Sequence, residues 1–391
     1  MAGIRTQWAT AESAAGMLYS EWFYAHFHDL LHSAPDDRPW MIKQNGYVFL
    51  YEHPEHSLLP WQLSRRRAAA KVWQAAQAYV AMQRKLGVSI EILEPHEVQY
   101  RWPSILAERL IGATWGPHDG FLNHDLIYLR GFARAQALGA ELRQHVEVTG
   151  AKVRDGRILC LETTAGSVEG DWFINAAGAW APRVSGCIGG MELPISPVKR
   201  FLYVLKPTRP MMSTEAWNAL PMTMYGVGPE RGAYSRPDGD TLMIGWAHEA
   251  LAEPDFADAD QDDIPPAFHH LHGLENYGYA VLGEIEHFAP DLANCGGLHA
   301  TTCGYYEMTP DSNPLIGVDA NLRNLVHAAG FSGHGLMHAP LTAAVVEAIL
   351  TGEVREGLMR LPPPYTEHQI SVDTFNPSRD FAQSHRETLV F

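Results

Sequence analysis

Gly330-Phe331-Ser332-Gly333-His334-Gly335 lies between a short strand-forming run, Leu325-Val326-His327-Ala328-Ala329, and an apolar run that ends near Gly352. Three glycines in six positions let a backbone turn sharply and pass close to a ligand, because no Cβ stands in the way. The helix that follows turns its N-terminus back toward the loop, bringing N–H groups without intrahelical acceptors and the positive end of its dipole. A strand–turn–helix of this kind suits an anion, or a ring that accumulates negative charge. Pro340 is compatible with an early turn of the helix. Ala344, Val345, Ala348 and Ile349 supply its apolar stripe. The spacing is G-x-x-G-x-G and not the dinucleotide fingerprint G-x-G-x-x-G, so by itself the loop reads equally as a generic tight connection.

The rest of the chain predicts mixed helix and strand. A long helix is expected over 8–32, with Thr10 as N-cap, and a strand over Gly46-Tyr47-Val48-Phe49-Leu50-Tyr51. A second long helix over 61–86 closes at Gly87. Its Arg65, Arg66 and Arg67 read as a solvated face. Asn123 is placed to cap a helix to about Leu138, with Gly139 just beyond. Residues 145–176 read as a β-meander turning at Asp155-Gly156 and at Ala165-Gly166, with Trp172-Phe173-Ile174 as a buried strand. Strands are expected over 195–205 and 232–246, the second folded into a hairpin at Asp238-Gly239. Residues 252–273, acidic and His-rich, read as a surface excursion, and 356–391 as a tail with little periodicity. The order of elements implies an α/β (α+β mixed) architecture with two interleaved domains.

Of 391 residues, 46% are apolar and 19% charged, enough apolar content for a sizeable core and against disorder. The formal charge of −16, with no basic run, argues against a nucleic-acid partner and for a small-molecule substrate. Four dispersed cysteines without a C-x-x-C pair indicate neither a zinc ribbon nor a disulfide scaffold. No apolar run reaches roughly 18 residues, so no transmembrane helix is expected. Met1–Thr10 lack a secretory signature, and a cytoplasmic location is expected.

Several segments resemble, in order, the D-amino-acid oxidase/sarcosine oxidase family of FAD-dependent oxidoreductases. "AAGFSGHGLMHAP" resembles its C-terminal flavin-contacting segment and "YYEMTPDSNPLIG" (305–317) the stretch before it. "NAAGAW" (175–180) resembles the strand end that approaches FAD. "LPISPVKRFLYVL" (193–205) and "YSRPDGDTLMIG" (234–245) resemble substrate-domain strands, and "AGIRTQW" (2–8) the start of the first long helix. The resemblance implies an FAD-binding, Rossmann-like domain over 1–39, 119–190 and 296–355, incomplete at its N-terminus. It also implies a substrate domain on a mixed or antiparallel sheet over 40–118 and 191–295. FAD contacts are expected from Gly3, Arg5, Val148, Ala177, Gly178, Trp180, Gly330, Phe331, Ser332, Gly333, His334, Gly335 and Leu336.

In the family, a strand, a G-x-G-x-x-G turn and a helix stand roughly 30–40 residues before the "GIR" segment, the size of a βαβ unit. No G-x-G-x-x-G occurs in this sequence. A misplaced start codon is the favoured explanation; a unit supplied by another polypeptide, or weak FAD retention, are the others. Without that unit the parallel sheet is expected to expose apolar edges. Met243 and Met337 stand where some sarcosine oxidases have lysines, one aiding reaction with oxygen and one holding the substrate carboxylate. A dehydrogenase or slow oxidase is therefore expected, passing electrons to oxygen, a carrier protein or a quinone. Cys303 lies near the family's covalent flavin attachment point, but reads as a free thiol with non-covalent FAD.

The reaction implied is oxidation of a C–N bond in a small amine or amino acid (sarcosine, glycine or a D-amino acid) by hydride transfer to flavin. Arg236 and Arg5 are candidates for a substrate carboxylate, since a guanidinium binds it with two bonds. Arg5 is equally a flavin contact and Arg236 equally a turn residue. Tyr306 and Met337 are further substrate-pocket candidates. Among His334, Arg236 and Tyr234, the candidates for catalysis, His334 reads as a structural residue beside the flavin. Neither His269, His270 and His272 nor His26, His28 and His32 has a recognised ligand spacing, so no metal is expected. The pattern also resembles FAD-dependent oxidoreductase-domain proteins related to mitochondrial assembly factors. A non-catalytic flavin-binding assembly or partner protein, an N-terminally truncated inactive form, and a second subunit therefore stay open.

Overall fold

The computed structural model describes residues 1–34, 37–53, 63–207, 212–228, 231–246, 253–254 and 277–389. The first part of the chain forms β1 (Gly3–Ile4), α1 (Ala11–Ala25), α2 (Phe27–Leu30), β2 (Ile42–Lys43) and β3 (Tyr47–Glu52). It continues through α3 (Leu63–Lys85), β4 (Glu91–Leu93), α4 (Pro95–Arg101), β5 (Leu110–Gly116), β6 (Gly120–Leu122) and α5 (His124–Ala137). The meander is β7 (Val148–Arg154), β8 (Arg157–Thr163) and β9 (Gly166–Glu169), followed by β10 (Phe173–Asn175) and α6 (Ala181–Ile188). Next come β11 (Ser196–Pro207), α7 (Thr214–Asn218), β12 (Met222–Gly228), β13 (Arg231–Asp238), β14 (Thr241–Trp246) and β15 (Glu253–Pro254). The remainder is α8 (Tyr277–Phe288), α9 (Pro290–Ala293), β16 (Cys295–Met308), β17 (Leu315–Val318), β18 (Leu325–Ala329), α10 (Gly335–Thr351), β19 (Leu358–Arg360) and β20 (Gln369–Ser371).

A nine-stranded mixed sheet dominates. Its order is β15-β11-β14-β13-β12-β3-β5-β4, with β16 added to β11. Only the β12–β3 pair is parallel; the other pairs run antiparallel. Strand β16 pairs with β11 from Ser196↔Met308 to Pro207↔Cys295, so the expected domain boundary at 295/296 falls where β16 joins this sheet. The β13–β14 hairpin closes where expected, with Asp238 facing Thr241 and Gly239 at φ +60°. One face of the sheet packs on α8 through Tyr203, Tyr225, Ile244, Val281, Ile285 and Phe288.

A second, three-stranded sheet has the order β10-β18-β17, with β10 and β18 parallel. Each parallel strand runs at its C-terminal end into a glycine-bearing loop, the place where open α/β sheets put their ligands. Helix α10 leaves the β18 loop and packs on α1 through Leu341, Val345, Ala14 and Met17.

Several expectations need correction. The helix expected over 8–32 is two, broken at His26 (φ −104°, ψ 13°). Thr10 does occupy the N-cap position of α1, but its side chain makes no capping bond. The cap is the Glu387 carboxylate, which accepts from Ala9 N, Thr10 N and Thr10 Oγ1. Strand β10 is buried on one face only: Phe173 and Asn175 are covered, whereas Ile174 is 50% exposed and Trp172 also reaches solvent. Alternate side chains of a strand point to opposite faces, and among the described strands β10 pairs only with β18. The 252–273 excursion falls almost wholly outside the described residues, as do the side chains of Arg65, Arg66 and Arg67.

Candidate functional site

The glycine turn folds as its composition requires. Gly330 (φ +71°), Ser332 (φ +49°) and Gly333 (φ +89°) all have left-handed backbones. A Cβ on Gly333 would come within 2.1 Å of the Tyr306 ring, and one on Gly330 within 2.6 Å of Thr309 Cγ2. Three bonds tie the turn to β16 and the loop after it: Gly330 N–H to Glu307 Oε2 (2.6 Å), Ser332 N–H to Glu307 O (3.1 Å) and Thr309 N–H to Ser332 Oγ (3.2 Å). Burial raises the Glu307 pKa, and the N–H groups of Gly330 and Phe331 oppose the shift.

The turn borders a cavity of about 470 Å³ with four walls. Met1, Gly3 and Arg5 form the first. The large sheet forms the second: Tyr47 from β3, Arg200 and Leu202 from β11, Met222 and Met224 from β12, Tyr234 from β13, and Thr302 to Tyr306 from β16. The third is Ser332, Gly333, His334, Leu336 and Met337, at the start of α10, and the fourth His124 and Tyr128 of α5. The first-turn N–H groups of α10 have no acceptor within the helix.

Of the residues expected at the site, the cavity brings together Gly3, Arg5, Tyr234, Tyr306, Ser332, His334, Leu336 and Met337, along with Gly333 and Cys303. Gly330, Phe331 and Gly335 build the turn behind it, the Phe331 ring filling the space beside Gly335. Trp180 meets the wall indirectly, its ring 5.9 Å from that of Tyr305. A Cβ on Gly178 would stand 3.8 Å from Glu307 Oε1, so Gly178 approaches the same carboxylate that holds the turn, whereas Ala177 packs against Ala181, Leu193 and Leu315. Val148 packs instead in the separate cluster of Ile158, Phe173 and Leu325.

Arg236 is buried behind Met1 and is not part of the cavity lining. It donates to Met1 O (2.7 Å), Pro237 O and Asp238 Oδ1 (2.9 Å each), and its guanidinium lies 4.8 Å from the Phe121 ring. It buttresses the N-terminal wall through these bonds, and its burial sets it apart from an exposed turn residue. Arg5 is fully buried, stacked 3.9 Å over Trp8, and donates to the carbonyls of Gln7 and Leu389. Burial lowers its pKa, opposed by Tyr47, Glu387 and Asp119.

His334 is held in one tautomer. Its Nε2 is 3.1 Å from Ser312 O, an obligate acceptor, so that nitrogen carries the proton and Nδ1 is bare. His338 Nδ1 then donates to His334 Nδ1 (3.1 Å) and His334 O (3.2 Å). Burial holds His334 well below the usual imidazole range and His338 at about 3. Both rings meet Trp8 edge-on, at 4.8 and 4.7 Å. Both ring nitrogens of His334 are thus engaged.

Arg200, Tyr47, Met222, Met224 and Glu307 had not been singled out from sequence. Arg200 follows Lys199 at the start of the apolar run Phe201-Leu202-Tyr203-Val204, and nothing in that pattern separates the buried cation from an exposed one. Its guanidinium is buried and 5.8 Å from the Tyr306 ring. Among the described residues no group of three His, Cys, Asp or Glu side chains is arranged to hold a metal ion, and no helix is long and apolar enough to cross a membrane. His269, His270 and His272 lie outside the described residues.

Residues 3–349 match the family model for FAD dependent oxidoreductase. The chain is 24% identical over 385 residues to FAD-dependent oxidoreductase domain-containing protein 1 of Xenopus laevis, covering 90% of this chain and 69% of that protein. It is 27% identical over 256 residues to the mitochondrial sarcosine dehydrogenase of Homo sapiens, covering 64% of this chain but only 26% of the larger protein. Its fold resembles L-proline dehydrogenase from P. horikoshii, with a TM-score of 0.74 at 25% identity over 99% of this chain and 87% of the other. It also resembles glycine oxidase from Geobacillus kaustophilus, with a TM-score of 0.70 at 19% identity over 97% and 87%. With the match running through the glycine turn, the large mixed sheet and the N-terminal segment, the chain belongs to the family of FAD-dependent oxidoreductases.

Proposed function

We propose that this chain carries the flavin-ring and substrate site of an enzyme that oxidises the C–N bond of a small amine or amino acid, of the sarcosine, glycine or D-amino-acid kind. The observation that carries the reading is one cavity with a side-chain-free backbone turn on one wall and a buried guanidinium, Arg200, on another. Sarcosine dehydrogenase and glycine oxidase among the similar proteins support the substrate class.

The residues present fit a flavin ring. Gly333 leaves the wall flat where any Cβ would strike Tyr306, and the electropositive start of α10 faces the same space. FAD, when bound, supplies the hydride acceptor. Gly3, Arg5, Ser332, Gly333, His334 and Leu336 would hold the ring, non-covalently, with the Cys303 thiol not attached to it. Val148, Ala177, Gly178 and Trp180 remain proposed for its more distant parts.

The carboxylate role, for which Arg236 and Arg5 are the sequence candidates, is assigned to Arg200, because it lines the cavity and a guanidinium pairs with a carboxylate. The Tyr306 ring lies 5.8 Å from the Arg200 guanidinium, and Tyr234 lines the same cavity. Met222, Met224 and Met337 make the wall apolar, which disfavours a protonated amine and so leaves the nitrogen lone pair ready to form the C=N bond as hydride leaves. With Met337 in the wall and Met243 in β14, two cationic side chains expected of an oxidase are absent. We assign the electron acceptor to a carrier protein or quinone in preference to oxygen.

The test compares N-methylglycine with amines that lack a carboxylate, in the native protein and in Arg200→Met. Loss of a charge-assisted pair of bonds, about 2 kcal/mol, should raise KM for N-methylglycine roughly thirtyfold and leave carboxylate-free amines unchanged. Equal effects on both substrates would remove Arg200 from the carboxylate role. Flavin reduced by no amine, together with tight co-purification of a partner, would favour the non-catalytic assembly reading.

A further inference from the structure

Arg5 reaches the cavity wall from a setting that the C-terminal segment helps to build. Its guanidinium donates to Leu389 O, 384 residues away in sequence, as well as to Gln7 O, and stacks on Trp8. Two residues before Leu389, the buried Glu387 carboxylate accepts from Ala9 N, Thr10 N and Leu389 N at 2.9–3.0 Å, fixing the start of α1 and the Leu389 carbonyl together. Glu387 N–H donates in turn to Asp311 O (2.8 Å), and Asn313 Nδ2 to His385 O (2.8 Å). Arg379 clamps the same loop, with two 2.7 Å bonds to the Asp311 carboxylate.

That loop is not remote from the site. Ser312 O fixes the His334 tautomer, and Thr309 N–H donates to Ser332 Oγ in the glycine turn. The segment 376–389 therefore grips both the Arg5 wall and the loop supporting the glycine turn through buried, directional bonds. A tail that served only to cover apolar surface would need apolar contact there, not a carboxylate committed to several N–H donors.

We propose that the C-terminal segment is a positioning element of the site, with Glu387 and the Leu389 carbonyl holding the Arg5 guanidinium at the cavity wall. This rests on the cavity being the flavin and amine site. Arg5 touches the site; Glu387 and Leu389 act through it.

The test uses the FAD-loaded protein in three forms: native, ended after Thr388, and Glu387→Gln. The first alteration removes the Leu389 acceptor. The second keeps the chain but puts an amide N–H among N–H donors. Phenylglyoxal labelling of Arg5, read by mass spectrometry, should be negligible in the native protein and at least tenfold faster in both variants. The visible spectrum of bound FAD should shift in both, and kcat/KM for N-methylglycine should fall through both kcat and KM. If ending the chain after Thr388 prevents folding, Glu387→Gln alone decides by the same readouts. Arg5 still protected, with an unchanged flavin spectrum in every variant that folds, would overturn the proposal. The labelling readout is independent of turnover. Released Arg5 in the variants, with a native protein inert to all amines, would refute the assigned reaction and leave the positioning role standing.

Discussion

His334 and His338 show how burial removes a reaction that sequence alone would offer. An exposed histidine beside a flavin is a ready acid or base. Here the pair is dry, shares one Nδ1–H and presents no proton that exchanges near neutrality. Because both pKa values are depressed, the sign is fixed. The unfolded chain takes up protons at these residues below its ordinary pKa of 6.5 while the folded chain does not. Their stabilising contribution is complete above 6.5 and is lost progressively as pH falls from there toward 3. Thermal melts from pH 7 down to 4 should show a decline in Tm that is shallower in the double variant His334→Asn, His338→Gln. Equal slopes would show that the imidazoles titrate as freely in the fold as outside it. The kcat/KM profile should carry no inflection from His334.

The glycine turn and the entry to α1 are elements whose conformation comes from different distances in the chain. The turn was legible because its requirements are local: positive φ at Gly330 and Gly333 needs glycine, and an apolar run after it forms α10. Gly333→Ala adds a Cβ both to a left-handed backbone and to the Tyr306 ring, so it should destabilise the fold by about 1–3 kcal/mol and weaken FAD retention more than tenfold. Unchanged FAD affinity would detach the turn from the cofactor. Hairpin β13–β14 was legible for the same reason, through Asp238-Gly239. The cap of α1 was not, since Glu387 lies far beyond any local window, and neither was Arg200, whose placement depends on the pairing of β11 with β16. Near the start of β6, Asp119 accepts from Thr6 and Gln7 and is raised by burial to about 6, and Glu21 on α1 is raised to about 8, chiefly by burial. A raised carboxylate favours the folded state at low pH and loses that advantage as pH rises through the folded value. Glu21→Gln, which can still accept from Gln44, should therefore raise Tm at pH 9 and change it little at pH 5. The reverse order would contradict the burial of that carboxyl group.

At the scale of the whole molecule, the cavity belongs to no single segment. Its walls come from residues 1–5, Tyr47, the start of α5, β11–β13, β16 and the start of α10, brought together by the fold of the whole chain. Composition and segment order sufficed for the mixed architecture, because alternating strand and helix signals need no knowledge of contacts. Which charged side chains line the cavity depends on those contacts, which is why the lining holds Arg200 and not Arg236. A site assembled from the whole fold should bind its cofactor only when folded. Free FAD at about a hundred times its dissociation constant should then stabilise the protein by about 2.7 kcal/mol. Flavin release and tryptophan exposure should share one unfolding midpoint. The most direct measurement is anaerobic mixing of the FAD-loaded protein with a panel of small amines and amino acids, followed by the visible flavin absorbance. Bleaching by at least one secondary or α-amino acid, with imine-derived carbonyl product in stoichiometric amount, is the result predicted. A flavin that stays oxidised with every member of the panel would contradict it.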